Sequence, residues 1–275
     1  MILKLALGLL STVLASTPAI GGESPAPETS PSSTCCPIVE LRQYTLRPGQ
    51  RDVLIELFDR EFVETQEAEG MKILGQFRDL DRPDRFVWVR GFPDMAERAR
   101  ALGAFYSGPA WKAHSKAANA TMVDVANVLL LRPTRPESEF SLEKLHRPAP
   151  GSTDVPKRIV IATVYYFAES PGNDFLDFFD REVAPVLRDA GTSLLGQFVT
   201  KDSPNTFPAL PVREGEWVFV FFSTFRDGAA YEQYLAELGR SPRWNGGLEK
   251  ALLSRLTRSP ETLRLSPTAR SLLGR

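Results

Sequence analysis

The sequence predicts an α+β fold of two tandem ferredoxin-like βαββαβ units, whose antiparallel sheets pack face to face as a pseudo-dimeric α/β barrel. The first observation is an internal repeat, because Leu-Gly-Gln-Phe ends at Phe77 and again at Phe198, 121 residues later. The second is a proline-rich stretch between the two copies, residues 133–156. The third is that the predicted strands are apolar on both faces, so both faces of each sheet need a cover.

The repeat extends well beyond this tetrapeptide. Phe-Asp-Arg-Glu occurs at 58–61 and again at 179–182, at the same displacement of 121 residues. Pro-x-Trp occurs at 109–111 and 242–244, at a displacement of 133 residues. One insertion of twelve residues in the second half accounts for the change, and it falls in VTKDSPNTFPALPVREGE, whose three prolines predict a loop.

The first copy contains every element of the unit. The predicted strands cover residues 39–46, 71–78, 85–92 and 127–132. The first helix follows the turn at Pro48-Gly49 and places its apolar side chains on one face, and Gly70 ends it. Asp94 caps the second helix with Glu97 as the other half of a capping box, and a break at Gly108-Pro109 restarts that helix.

The second copy repeats these elements in the same order. Its first strand covers residues 158–167, and Asn173 or Asp174 begins the helix that follows. Pro185 is expected to kink that helix. Asp227 and Ser241 cap the later helix and its restart.

Strand composition predicts that the two halves close on each other. The segments 86–89, 128–131 and 217–225 are apolar on both faces. Helices cover one face, and the sister sheet is the simplest cover for the other, since burying a Phe, Val or Leu side chain is worth about 1.5–3 kcal/mol. The result is a barrel whose centre can hold a small ligand. Pairing between two copies of the chain would bury the same apolar sheet faces, so a homo-oligomer is the alternative.

The N-terminal residues predict export. One lysine precedes an apolar run at residues 5–15 that is too short to remain as a membrane span, so residues 1–19 are predicted to be a signal peptide. The expected location is periplasmic or extracellular, with no integral membrane segment after processing. The remaining boundaries are a flexible leader (20–37), a first barrel domain (38–134), a proline-rich linker (135–156) and a second barrel domain (157–268).

Charge and cysteine content exclude several classes of function. The formal net charge is -1 with both signs interspersed, so no nucleic-acid partner is predicted. The two cysteines, Cys35 and Cys36, are adjacent and fall in the leader. Reducible or free thiols in a flexible leader are favoured there over a redox or interchain role. Cys/His metal spacing, a P-loop, GxGxxG and nucleophile motifs are missing from the sequence, so no metal site is predicted.

Three segments resemble NIPSNAP proteins: VELRQYTLRPGQ, GPAWKAH and VLLLRP. The resemblance covers most of residues 38–134, and it is weaker in the second half, which lacks Glu-Leu-Arg but keeps Ser-Pro-x-Trp at 241–244. It implies the dimeric α/β barrel superfamily, whose members include cofactor-free monooxygenases, haem-degrading enzymes and chlorite dismutase-like haem proteins. The family implies no settled activity, no cofactor is predicted from the residues, and haem stays open.

His114 is the candidate catalytic residue. It follows Trp111 by three residues, so both side chains share a helix face at the mouth or wall of the predicted cavity. An imidazole there can act as a general acid or base, or as a haem or metal ligand. A packing role for His114 is favoured over these functions. The residue at the repeated position in the second half is Gly247.

Aromatic and basic side chains are the candidate ligand-binding residues. The aromatic lining is predicted from Trp88, Trp111, Trp244 and Tyr44, joined by Trp217 and Tyr165. Core packing is the alternative for these side chains. Arg42 and Arg90 lie on strands, where they either hold an anionic group or make surface salt bridges.

The sequence therefore favours an exported protein that binds a small apolar or aromatic molecule in the barrel cavity. One alternative is a cofactor-independent or haem-linked monooxygenase or isomerase that uses His114. The other is a structural interaction module, which a cavity filled with side chains would favour.

Overall fold

The four predicted strands of the first half and the first strand of the second half begin and end close to their predicted positions. The computed structural model describes residues 35–275, and the predicted signal peptide lies outside the described residues. The strands of the first half are β1 (Ile38–Leu46), β2 (Lys72–Asp79), β3 (Arg85–Phe92), the short β4 (Met122–Asp124) and β5 (Val128–Pro133). Those of the second half are β6 (Ile159–Phe167), β7 (Ser193–Thr200), β8 (Trp217–Phe225) and β9 (Glu261–Pro267).

The helices contain π-helical turns at repeated positions. In the first half, α1 (Arg51–Leu57) continues through a π turn (Phe58–Phe62) into α2 (Val63–Ala68), and α3 (Met95–Ser107) precedes α4 (Pro109–Thr121). The second half has α5 (Asn173–Phe178), a π turn (Phe179–Val183), α6 (Ala184–Asp189), α7 (Gly228–Arg240) and α8 (Glu249–Leu253). The segment Trp244–Leu248 before α8 contains a kink, where Gly247 has a φ of 122°. The irregularity expected at Pro185 is thus a π turn that ends just before it. None of the described helices is long and apolar enough to cross a membrane.

Eight of the described strands form one closed antiparallel barrel, in the order β1-β3-β2-β9-β6-β8-β7-β5 and back to β1. The two halves meet edge to edge, because β2 pairs with β9 and β5 pairs with β7. An α/β barrel of two facing sheets was predicted, and the barrel is confirmed. Hydrogen bonds at both edges join the two sheets into one closed sheet, which the prediction did not include.

Each Leu-Gly-Gln-Phe segment contains a β-bulge. The pairing register shifts at Gly75 in β2 and at Gly196 in β7. A Cβ atom at Gly75 would overlap the ring of Phe77, and one at Gly196 would come within 2.8 Å of the ring of Phe198. Both rings are fully buried in the barrel interior. The repeated glycine therefore lets a phenylalanine ring fold back over its own strand.

Side chains fill the interior of the barrel. One buried cluster combines strand residues from both halves, such as Val39, Val89 and Val220. Phe140 from the predicted linker and Leu273 from the end of the chain join the same cluster. The predicted ligand cavity at the barrel centre is therefore wrong, because these side chains take up that space.

The predicted leader and linker each contribute a buried residue to the core. Cys35 and Cys36 form a disulfide, and Cys36 is buried against Gly91 in the barrel interior. In the linker, the ring of Phe140 lies 4.7 Å from that of Phe198. Reducible or free thiols were expected here, and the structure pairs Cys35 with Cys36. The predicted linker contributes Phe140 to the core, which was not expected of an irregular spacer.

Candidate functional site

A cavity of about 380 Å³ lies between the sheet and the helices of the first half. Strands β1 and β3 supply Tyr44 and Trp88 to its wall. The helices and the residues after them supply Leu54, Phe58, Phe62, Gln66, Phe105, Tyr106, Trp111, Asn119, Met122 and Val125. Because the inner face of the sheet is used for the barrel core, the outer face is left to form a site with the helices.

Aromatic rings meet edge to face around this cavity. Tyr44 and Trp88 have ring centroids 5.8 Å apart at 90°. On the helix side, Trp111 lies 5.6 Å from Phe62 and 4.8 Å from Tyr106. Walls of this kind suit a flat apolar ligand that can stack on, or lie against the edges of, these rings.

The loop between β7 and β8, residues 201–216, covers the cavity from the other half of the chain. Its Phe207 stacks on Tyr106 with 5.7 Å between ring centroids, and Phe207, Ala209 and Leu210 line the cavity. Thr206 Oγ1 also donates a hydrogen bond to the carbonyl of Met95 at 3.2 Å. This cover loop contains the twelve-residue insertion predicted from the repeat.

A buried ionic cluster of Glu40, Arg42, Arg90 and Arg98 lies next to the cavity. All four side chains are inaccessible to solvent. Glu40 Oε2 accepts from Arg42 Nη1 at 2.7 Å and from Arg90 Nε at 2.8 Å, and Glu40 Oε1 accepts from Arg98 Nε at 2.7 Å. The strand period places Glu40 and Arg42 on the helix side of β1, and Arg90 lies directly opposite Glu40 on β3.

The cluster carries more positive than negative charge, because three guanidinium groups share one carboxylate. Burial by itself raises the pKa of the Glu40 carboxyl, but the charges of Arg90, Arg42 and Arg98 outweigh it and hold that pKa far below its usual range. The other hydrogen-bond partners are neutral: Tyr44 accepts from Arg42, Gln66 accepts from Arg90, and Asn205 and Thr206 accept from Arg98. Two positive charges are therefore left uncompensated among these contacts.

Three of the predicted ligand-binding residues, Tyr44, Trp88 and Trp111, line the same cavity. Trp244 lines a different cavity of about 330 Å³ in the second half. Arg42 and Arg90 do not form the surface salt bridges that were the alternative, because they are fully buried behind the cavity wall. Their guanidinium carbons lie 5.4 and 4.9 Å from the ring centroid of Trp88.

His114 lies on the outer side of the cavity wall. Its Nε2 is 3.3 Å from Glu61 Oε2, a third of its side chain is exposed, and its ring contacts Phe62. It is not among the residues that line the cavity. The structure thus places the candidate catalytic residue near the site and not in it.

His114, the candidate haem or metal ligand, lies outside the lining of this cavity. Haem iron takes an axial side chain such as His, Cys, Met or Tyr. Of these types, Tyr44, Tyr106 and Met122 line the cavity, and the Tyr44 oxygen already accepts a hydrogen bond from Arg42. No group of three His, Cys, Asp or Glu side chains able to hold a metal ion occurs within residues 35–275.

Sequence reasoning missed Glu40, Arg98 and the cover loop as parts of the site. A charged pair at alternate positions of the first predicted strand, Glu40 and Arg42, was a usable signal. Arg98 on the following helix and the cover loop could be assigned only once the packing was known.

The second half lacks the ionic cluster. The repeat aligns Glu40 and Arg42 with Ile161 and Thr163, and it aligns Arg90 and Arg98 with Ser223 and Tyr231. These four counterparts line the second-half cavity that also contains Tyr165 and Trp244. Equivalent cavities in one chain therefore differ in charge.

These features define a class of protein, an α/β barrel closed by two similar halves of one chain with a site outside the barrel. Residues 39–136 match the model of the NIPSNAP family, so this part of the chain is similar to that family. The predicted resemblance is confirmed for that range. No curated protein matches the chain.

Two solved structures share the fold over most of the chain. A candidate monooxygenase from Fusobacterium nucleatum subsp. nucleatum is 11% identical, with 87% of this chain and 96% of that chain covered and a TM-score of 0.52. An anthrone oxidase-like protein is also 11% identical, with 84% of this chain and 91% of that chain covered and a TM-score of 0.51. At this identity the likeness is one of fold.

Proposed function

We propose that the first half binds a small, flat aromatic molecule in the cavity between its sheet and its helices. One observation carries the proposal: an aromatic cavity of about 380 Å³ sits beneath a loop supplied by the other half. That volume falls in the range of about 300–1,000 Å³ seen for small-molecule sites.

We also propose that the protein is exported, on the signal-peptide pattern of residues 1–19.

A second candidate function is cofactor-independent oxygenation or isomerisation of the bound molecule. It is favoured by the shared fold with proteins described as a candidate monooxygenase and as anthrone oxidase-like. It is also favoured by the Tyr44 hydroxyl in the cavity wall, which can donate to a developing oxyanion while Arg42 supports it from behind. In this version His114 is not the acid or base, because it lies outside the lining.

The experiment measures binding of 2-acetylnaphthalene, a neutral aromatic probe, to the full chain by isothermal titration calorimetry. Trp111→Leu removes a ring from the first-half cavity, and Trp244→Leu is the matched control at the repeated position in the second half. We expect one site, an affinity loss of about tenfold or more in Trp111→Leu, and a change of less than about twofold in Trp244→Leu.

The opposite pattern, with loss only in Trp244→Leu, would move binding to the second half and overturn the proposal. Absence of binding to the unmodified chain would overturn it as well. Circular dichroism and thermal melting of both variants check that a lost site is not a lost fold.

A further inference from the structure

We infer that the first-half cavity selects aromatic anions, whose ionised oxygen group bonds to the Tyr44 hydroxyl and the Trp88 indole N–H while the Glu40–Arg42–Arg90–Arg98 cluster balances its charge. The inference rests on the proposed function and names its ligand class. A carboxylate, a phenolate or an enolate on a flat ring system has the required chemistry.

Two donors in the cavity wall are available to such a group. The Tyr44 oxygen accepts a hydrogen bond from Arg42 Nε at 3.0 Å, which leaves its own hydrogen to donate. Trp88 is 2% exposed, and its Nε1 has no acceptor among the described residues. Trp88 lines the cavity, and because buried donors are nearly always paired, its unpaired indole N–H is assigned to an acceptor on the ligand.

The ionic cluster lies directly behind these two donors. Nη2 of Arg42 and Nη2 of Arg90 are buried and have no hydrogen-bond partner among the described residues. Both guanidinium groups lie against the Trp88 ring, and Arg42 also lies 5.3 Å from the centre of the Tyr44 ring. An uncompensated positive charge in a solvent-excluded site attracts an anion more strongly than the same charge does at the surface.

The second half provides an internal comparison. Tyr165 repeats Tyr44, but Thr163 and Ser223 stand where the first half has Arg42 and Arg90. Phe221 stands in place of Trp88, so the indole donor is also missing there. The preference for an anion is therefore expected in the first half alone.

The test compares 2-naphthoate with 2-acetylnaphthalene, which has nearly the same shape and no charge. We expect the unmodified chain to bind 2-naphthoate at least about tenfold tighter, because hydrogen bonds to a charged group are stronger than those to a neutral one. Tyr44→Phe should reduce 2-naphthoate affinity about tenfold and 2-acetylnaphthalene affinity by less, whereas the matched control Tyr165→Phe should change neither. Arg42→Met removes one of the two uncompensated charges and should lower the ratio of the two affinities several-fold.

Each outcome decides between the two proposals. Equal affinities for the two probes in the unmodified chain, or tighter binding of 2-acetylnaphthalene, would overturn the inference and leave the proposed function standing. Failure of both probes to bind would overturn the proposed function and the inference with it. A ratio that survives Arg42→Met and Tyr44→Phe in folded variants would also overturn the inference, because the charge selection would then come from elsewhere.

Discussion

Substitution of Asp59 by asparagine should stabilise the protein at neutral pH and not at acidic pH. Asp59 lies in the π turn of the repeated Phe-Asp-Arg-Glu sequence, and its Oδ1 accepts a hydrogen bond from Gln76 Nε2 at 2.9 Å. Burial raises the pKa of its carboxyl to about 6, although Arg270 and Arg147 oppose the shift. The ionised Asp59 carboxylate therefore lowers the stability of the folded protein relative to the protonated form.

The size and sign of the effect follow from linkage. The pKa of Asp59 is about 6 in the folded protein against an ordinary value of 3.8, and at about 1.36 kcal/mol per unit the difference amounts to about 3 kcal/mol. Because the folded pKa is the higher one, the contribution of this group to stability is fully present below pH 3.8 and is lost as the pH rises through about 6. The amide of an asparagine side chain cannot ionise, so the stability of Asp59→Asn relative to the unmodified chain should rise by up to about 3 kcal/mol between about pH 4 and pH 7.5.

Urea unfolding of both proteins across that pH range measures the difference, and titration of other groups cancels in it. Asp180→Asn is the matched control, because Asp180 occupies the repeated position and pairs with Arg135 at 3.3 Å on a partly exposed surface. It should lose less than about 1 kcal/mol at neutral pH. A stability difference for Asp59→Asn that stays constant with pH, or falls as the pH rises, would refute the reasoning.

Two further predictions concern the bulge and the histidine. Gly75→Ala should lower the free energy of unfolding by about 2 kcal/mol, because its methyl group overlaps the buried ring of Phe77, whereas Gly103→Ala, with open space around it in α3, should raise it by up to about 1 kcal/mol. Urea unfolding checks both, and equal stability of the two variants would contradict the steric role of the bulge. His114→Ala should leave 2-acetylnaphthalene affinity within about twofold and cost less than about 1 kcal/mol of stability, since the histidine contacts Glu61 and not the cavity. A tenfold loss of affinity in calorimetry would place His114 in the site after all.

The order of elements could be predicted because repeats and strand composition are local properties of the sequence. Caps are local as well, and Asp94 accepts a hydrogen bond from the backbone N–H of Glu97 at 2.7 Å, as predicted. The filled barrel interior could not be predicted in this way. Phe140 enters it from a proline-rich segment, and prolines indicate the absence of a regular helix or strand, not the absence of packing.

The site depended on which side of the sheet each side chain occupies. Arg42 and Arg90 were recognised as candidates, yet their burial depends on Arg98, Glu40 and the cover loop, which are distant in sequence. Alternation along β1 separates Leu41, which faces the barrel, from Arg42, which faces the helices. Strands with apolar residues on both faces indicate that each face of the sheet is packed against another part of the protein. They do not indicate on which face a ligand cavity lies.

The cover loop makes the two halves unequal partners. In a symmetric dimer of identical subunits, every structural feature would occur twice. A long loop of one subunit that covers the site of its partner would then be matched by the same loop of the partner. In this chain the second half supplies the cover loop, while the first half supplies the ionic cluster and most of the aromatic rings of the site. A substitution in residues 205–210 can therefore alter a site whose remaining lining residues all lie before residue 126.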